Sequence, residues 1–511
     1  MKKILYLLLI VFVFSACEDD DFGVTPFVAE VAEVTEEPVE YSSGTADLSN
    51  FVAVGNSLTA GYSDGALFIE GQENSFPNIL ATQFGLAGGG SFTQPLMDDN
   101  LGGLLLGGQQ ITSNRLFLSF ASGSPSPTPV SGTPATEVSN VKPGPYNNMG
   151  VPGAKSYHLV ASGYGNVAGV QPGLANPYYA RMATSSDAMV IQDAAAQNAS
   201  FFSLWIGNND ILSFALAGGD GVDQTGNFNP ATYGSSDITD PNVFANVYNN
   251  LLAALTANGS SGIVANLPNV LDIPYFTTVP YNAIPLDANT AAFLNSPSGY
   301  GAYNGGIQQA LAALTGTGLF TAEEAAKRTI NFVEGQNAVV IIDEDLTDLG
   351  AINPAFAGLP KYRQATAEDL LVLTSRTFLG TLADPNNPSS VNGVGVPLAD
   401  KWVLTPEEQS AVTTARNAYN QTIDALAQQY DLAFYDAEGF LNELVGAGIT
   451  QNGITSTAVY ATGGGFSLDG VHPSPRGYAI IANGIIDAIN VKYGSNLPKV
   501  DVGNYKGLYI N

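Results

Sequence analysis

The chain has 511 residues, 45% of them hydrophobic and 12% charged, with 56 Gly and 29 Pro; this composition excludes disorder throughout and supplies a large core joined by many loops. Its 46 acidic against 17 basic residues give a formal charge of −29, and no Lys/Arg cluster follows the first few residues, which argues against nucleic acid as a partner. One Cys excludes an intramolecular disulfide and two His argue against a multi-histidine metal site, so neither a metal nor another cofactor is expected.

In chain order, residues 1–16 carry two lysines and then an uninterrupted apolar run over residues 4–14, too short for a membrane span and suited to a signal-peptide core. The stretch "FSAC" before and including Cys17 resembles the lipobox of bacterial lipoproteins. That resemblance implies cleavage before Cys17, lipidation of Cys17, and a membrane partner met through the lipid anchor. The "EDDD" that follows resembles the signal that sends such lipoproteins to the outer face of the outer membrane. Residues 17–47, rich in Glu, Val, Thr and Pro without periodicity, are expected to form an acidic linker.

From residue 48 to 500 the pattern is that of one domain with insertions, followed by a tail over 501–511. Short apolar runs bounded by turn residues predict buried strands at 51–54, 201–206, 263–267, 339–342 and 432–435. Helical periodicity predicts a helix over 242–255 carrying Val243, Val247, Leu251 and Leu255. A second is predicted from the capping box at Thr405-Pro406-Glu407-Glu408, with Val412, Ala415, Tyr419, Ile423, Leu426 and Tyr430 on one face. Strands alternating with helices predict an α/β fold whose parallel sheet is covered on both faces, with the functional site at the carboxyl ends of the strands. The stretches at about 83–147 and 343–400 show no sustained period and are expected to be irregular insertions. The acidic "DEDLTD" at 343–348 lacks the Gly and distal Glu of an EF-hand loop, which leaves calcium a weak alternative there.

Four short blocks carry the chemistry: "GNSL" at 55–58, "NMGVPGAKS" at 148–156, "WIGNND" at 205–210 and "LDGVHPSPRGY" at 468–478. Together and in this order they resemble the blocks of the SGNH, or GDSL-type, hydrolase superfamily. The resemblance implies a three-layer α/β/α fold with a flavodoxin-like, doubly wound parallel sheet, and esterase activity through an acyl-enzyme. It also implies Ser57 as nucleophile and His472 as its base, oriented by Asp469. The implied oxyanion hole comprises the Ser57 N–H, the Gly153 N–H and the Asn209 amide. An ester carbonyl needs an attacking oxygen, a base titrating near neutrality and donors for the developing charge, which is why these residue types belong together. The family's substrates are lipid, short-acyl and acetylated-glycan esters, and the blocks do not choose among them. One departure is Asn56 where the family's Asp stands; the amide keeps a carbonyl acceptor and loses a charge.

Single-residue alternatives are helix capping for Ser57 and Asn209, a plain turn for Gly153, and a surface pair for Asp469 and His472. The other histidine, His158, is expected to be structural, and Trp205 to belong to strand core. The rival functions are a non-catalytic surface protein binding glycan or another ligand on the same scaffold, and an acyltransferase.

Overall fold

Five runs of apolar sequence pair side by side in an all-parallel sheet: β1 (Phe51–Gly55), β2 (Asn148–Gly150), β3 (Phe201–Trp205), β4 (Ser261–Ala265) and β5 (Ala433–Tyr435), in the spatial order β5-β4-β3-β1-β2. This is the 2-1-3-4-5 order of flavodoxin-like sheets. β1 and β3 are buried at every position, because helices cover both faces, so their sequences run apolar without alternating. The structure, a computed structural model, describes residues 39–121 and 123–510, and residues from Tyr41 onward form one unit. The leader, Cys17 and the acidic stretch after it lie outside the described residues.

Helices layer the sheet on both sides. α1 (Ser57–Ala60), a single turn, follows β1, and α2 (Phe76–Gly85) packs with α6 (Pro475–Tyr493) on one face. The other layer contains α3 (Asn209–Leu216), α4 (Pro241–Leu255) and α5 (Pro406–Gln429). In α4 the predicted residues Val243, Val247, Leu251 and Leu255 are all buried, and Asp240 caps the helix by accepting from the Asn242 and Val243 N–H groups at 2.8 and 3.0 Å. In α5, Val412, Ala415, Tyr419 and Ile423 are buried and Leu426 and Tyr430 half-buried. Its Glu408 carboxylate accepts the Thr405 N–H at 2.6 Å, as the capping-box pattern predicts.

Several expectations need correction. The run at 339–342 is not part of the central sheet. Its strand, Val340–Ile342, pairs antiparallel with Tyr362–Gln364 inside a satellite layer. That layer has its own apolar cluster, drawn from Val279 to Val403, so the insertion starts well before 343. Conversely, Asn148–Gly150, where no strand is predicted, is the edge strand of the main sheet. The 83–147 stretch also holds short strands at Leu104–Leu106, Leu116–Ser119 and Ser126–Pro129 among others. The 501–511 tail is built onto the domain: the Leu118 N–H donates to the Tyr509 carbonyl at 2.9 Å, and the Arg115 guanidinium lies 4.7 Å from the Tyr509 ring centre.

Candidate active site

Register decides where three of the four blocks meet. Gly55, the last residue of β1, is level with Trp205 of β3 on one side and Gly150 of β2 on the other. The segments leaving these three strands therefore start side by side, and Ser57, Gly153 and Asn209 lie two to four residues further on. β1 and β3 flank the point where strand order reverses, where doubly wound sheets open a crevice.

Ser57 is the first residue of α1, but it does not cap it. Asn56 is the N-cap, its Oδ1 accepting the Leu58 N–H at 3.0 Å. The Ser57 hydroxyl, on a residue 7% exposed, instead stands 2.9 Å from His472 Nε2. His472 Nδ1 is 2.8 Å from Asp469 Oδ2. A carboxylate can only accept, so Nδ1 carries the proton and Nε2 keeps the lone pair that faces Ser57.

A spacing of three residues can hold this pair because the Asp469 side chain folds its own loop. Oδ1 accepts from the Val471 and His472 backbone N–H groups, both at 2.8 Å, and from Ser467 Oγ at 3.0 Å; Oδ2 accepts a second bond, from Gly65 N–H at 2.9 Å. The chain then turns into α6, capped by Ser474 with Pro475 in its first turn. Burial alone would push the Asp469 pKa up, but the adjacent imidazole and the converging N–H donors outweigh it and bring the carboxyl down to about 2. The Tyr62 ring, 4.7 Å from the imidazole centre, closes the other side.

Gly153 has φ of +79°, a left-handed conformation that a side chain would strain, so the turn needs Gly here. Asn209 opens α3, and its Nδ2 donates to the Ala154 carbonyl at 2.9 Å, which leaves its second N–H for the cavity. Asp210 joins the second and third blocks: its carboxylate accepts the Ser156 N–H at 2.8 Å and the Ser156 hydroxyl at 2.6 Å. Burial raises the Asp210 pKa, against the pull of those two bonds. Ser57, Gly153, Asn209, Asp469 and His472 all line one open cavity of about 990 Å³. A smaller apolar pocket of about 70 Å³ adjoins Ser57, Asn209 and His472, walled by Leu58, Trp205, Val270, Ile273, Phe440 and Phe466.

All five residues singled out from the sequence are thus brought together. His158 accepts the Lys155 N–H through Nδ1 at 3.0 Å and stacks on Tyr164 at 4.6 Å; burial and Lys155 lower its pKa to about 4, as suits a structural, neutral imidazole. Trp205 is 4% exposed and donates Nε1–H to the Asn266 carbonyl at 3.1 Å, so it is core. Sequence reasoning missed Asp64 and Ser467. Asp64, 1% exposed with φ of +52°, accepts the Leu468 N–H at 2.8 Å and donates its own N–H to Ser467 Oγ at 2.9 Å, which ties the turn after Ser57 to the Asp469 loop. No local pattern marks a residue whose partners lie about 400 positions away. Compared with models of protein families, with curated proteins and with solved structures, the chain matches none.

Proposed function

We propose that this protein is a serine hydrolase of the SGNH type that cleaves carboxylic esters through an acyl-enzyme. The observation that carries the proposal is the hydrogen-bonded chain Ser57 Oγ, His472 Nε2, His472 Nδ1, Asp469 Oδ2, with contacts of 2.9 and 2.8 Å, beside the free amide hydrogen of Asn209. In the proposed cycle His472 takes the Ser57 proton as Oγ attacks the ester carbonyl. Asp469 stabilises the resulting imidazolium and does not itself take the proton. The oxyanion is met by the Asn209 amide and the N–H groups of Gly153 and Ser57. His472 then protonates the leaving alcohol, and water, deprotonated by the same imidazole, releases the acid from Ser57.

The two pockets differ in a way that favours a substrate with a short acyl chain and a bulky alcohol. The 70 Å³ apolar pocket beside Ser57 fits a short acyl group. The 990 Å³ cleft, bordered by Tyr62, Tyr178, Tyr275, Tyr460 and Arg376, offers aromatic surface and one guanidinium to a larger leaving group, while the Tyr62 and Tyr460 hydroxyls donate to the Gly65 and Leu468 carbonyls. The sequence further supports a lipoprotein tethered through Cys17 to the outer membrane.

Incubation with a fluorophosphonate probe tests the reaction class. Wild-type protein should label at Ser57 in a His472-dependent way and hydrolyse acetyl and butyryl esters faster than octanoyl esters. A folded protein that takes no label and cleaves no ester across that panel would leave the binding-protein alternative. Faster capture of the acyl group by an added alcohol than by water would assign it as a transferase.

A further inference from the structure

Away from the catalytic cavity, three carboxylates from three separate segments converge. Glu344 follows the short strand at Val340–Ile342, Asp400 precedes α5, and Glu408 lies in the first turn of α5; one oxygen of each lies within 4.8 Å of the other two. Glu344 is exposed, Asp400 half-buried and Glu408 only 8% exposed. Among the described residues no Lys or Arg forms an ion pair with any of the three. Basic groups of this region have other partners: Lys327 faces Asp343 and Glu407, Arg363 is held by Asp343 and Asp369, Lys401 lies over the Trp402 ring, and Lys361 donates to the backbone carbonyl of Glu344.

The buried member supplies the second observation. Glu408 Oε2 accepts the Thr405 N–H, but Oε1 is buried and has no hydrogen-bond partner. The backbone of Gly219, in the loop after α3, lies so close that a Cβ there would sit 2.1 Å from Glu408 Oε1. A buried carboxylate oxygen left without a donor is destabilising unless a proton or a cation meets it. Burial and the neighbouring acids, with Asp220 facing Asp400 as well as Glu344, push the Asp400 and Glu408 pKa values up to about 7 and about 8.

We propose that Glu344, Asp400 and Glu408 form a Ca²⁺ site that clamps the insertion to α5. Oxygen-only donors select a hard cation, and carboxylates drawn from three separate segments suit the irregular, adaptable oxygen shell of Ca²⁺ better than the strict octahedron of Mg²⁺. None of the three carboxylates lines the catalytic cavity, so the ion's role is to brace the fold. Leu373, Thr374 and Arg376 of the braced insertion do border the cleft.

The test uses purified protein stripped with EDTA and dialysed free of it. Ca²⁺ at millimolar concentration should raise Tm by about 2–5 °C, and Mg²⁺ by less. Tb³⁺ should bind with a stoichiometry of one, its emission sensitised by Trp402, two residues from Asp400, and displaced by Ca²⁺. Glu408→Gln should abolish the Ca²⁺ response and the Tb³⁺ emission while leaving the metal-free Tm equal to wild type or higher, since it removes a repelled buried charge. That inversion separates loss of a ligand from loss of the fold. A wild-type Tm indifferent to Ca²⁺, with Glu408→Gln more stable under every condition, would show that the acids merely share a proton. A Mg²⁺ shift equal to or above that of Ca²⁺ would overturn the assignment of the ion.

Discussion

Replacing Asp469 by Asn removes a charge from a carboxyl on which five donors converge: Gly65 N–H, Val471 N–H, His472 N–H, Ser467 Oγ and His472 Nδ1. Neither orientation of the amide accommodates them. With its NH₂ toward His472 it opposes Nδ1–H and Gly65 N–H; turned over, it opposes Ser467 and the two N–H groups of the 469–472 turn. The drop of the Asp469 pKa from 3.8 to about 2 corresponds to about 2–3 kcal/mol of preference for the carboxylate, and the misplaced NH₂ adds to that cost. For turnover, losing the anion that fixes the imidazole tautomer costs about 10⁴ in kcat in Ser-His-Asp hydrolases. Asp469→Asn should therefore slow ester turnover and fluorophosphonate labelling by about 10³–10⁴ and also lower Tm. The pH dependence has a definite sign. The folded pKa lies below the unfolded value, so the unfolded chain binds the proton more readily, and this stabilisation is complete above about pH 4 and is lost as pH falls toward 2. The Tm gap between wild type and variant should shrink over that interval. Labelling within tenfold of wild type, with an unchanged melting curve at pH 7, would refute the role assigned to Asp469.

Asp64→Asn should behave in the opposite way. Burial, with Asp469 adding to it, raises the Asp64 pKa to about 7, so ionising it opposes folding by up to about 4 kcal/mol as pH rises from about 4 to 7. The variant should match wild type in Tm near pH 4 and exceed it at pH 8, and a pH-independent difference would count against this. Asn209→Ala should cut kcat by about 10²–10³ with a smaller change in KM; a loss confined to KM would place Asn209 outside the oxyanion hole. Because Asn56 and not Ser57 caps α1, Ser57→Ala should abolish labelling with little change in Tm, whereas Asn56→Ala should destabilise by about 1 kcal/mol; thermal melts that reverse this order would contradict the assignment. Cys17→Ala should release the protein from the membrane fraction, and a wild-type protein that keeps its first sixteen residues would exclude lipidation at Cys17.

The sequence by itself determined the elements whose signals are local. β1 and β3 are continuous apolar runs because both faces of the sheet are covered, and α4 and α5 announce themselves by a 3.6-residue period that packing preserves. Ser57, Gly153, Asn209, Asp469 and His472 were legible because the four short blocks that hold them, taken together and in order, resemble those of the SGNH superfamily. Tertiary structure alone decided what depends on distant neighbours. The run at 339–342 and the core strands are equally apolar, yet only pairing partners place the former in the satellite layer. Asn148–Gly150 has no strand-like composition and is a strand because β1 supplies its hydrogen bonds. The hold of Asp64 on the Asp469 loop, and the meeting of Glu344 with Asp400 and Glu408, likewise exist only after folding, since a carboxylate's partners and its pKa are set by what the fold brings within a few ångströms.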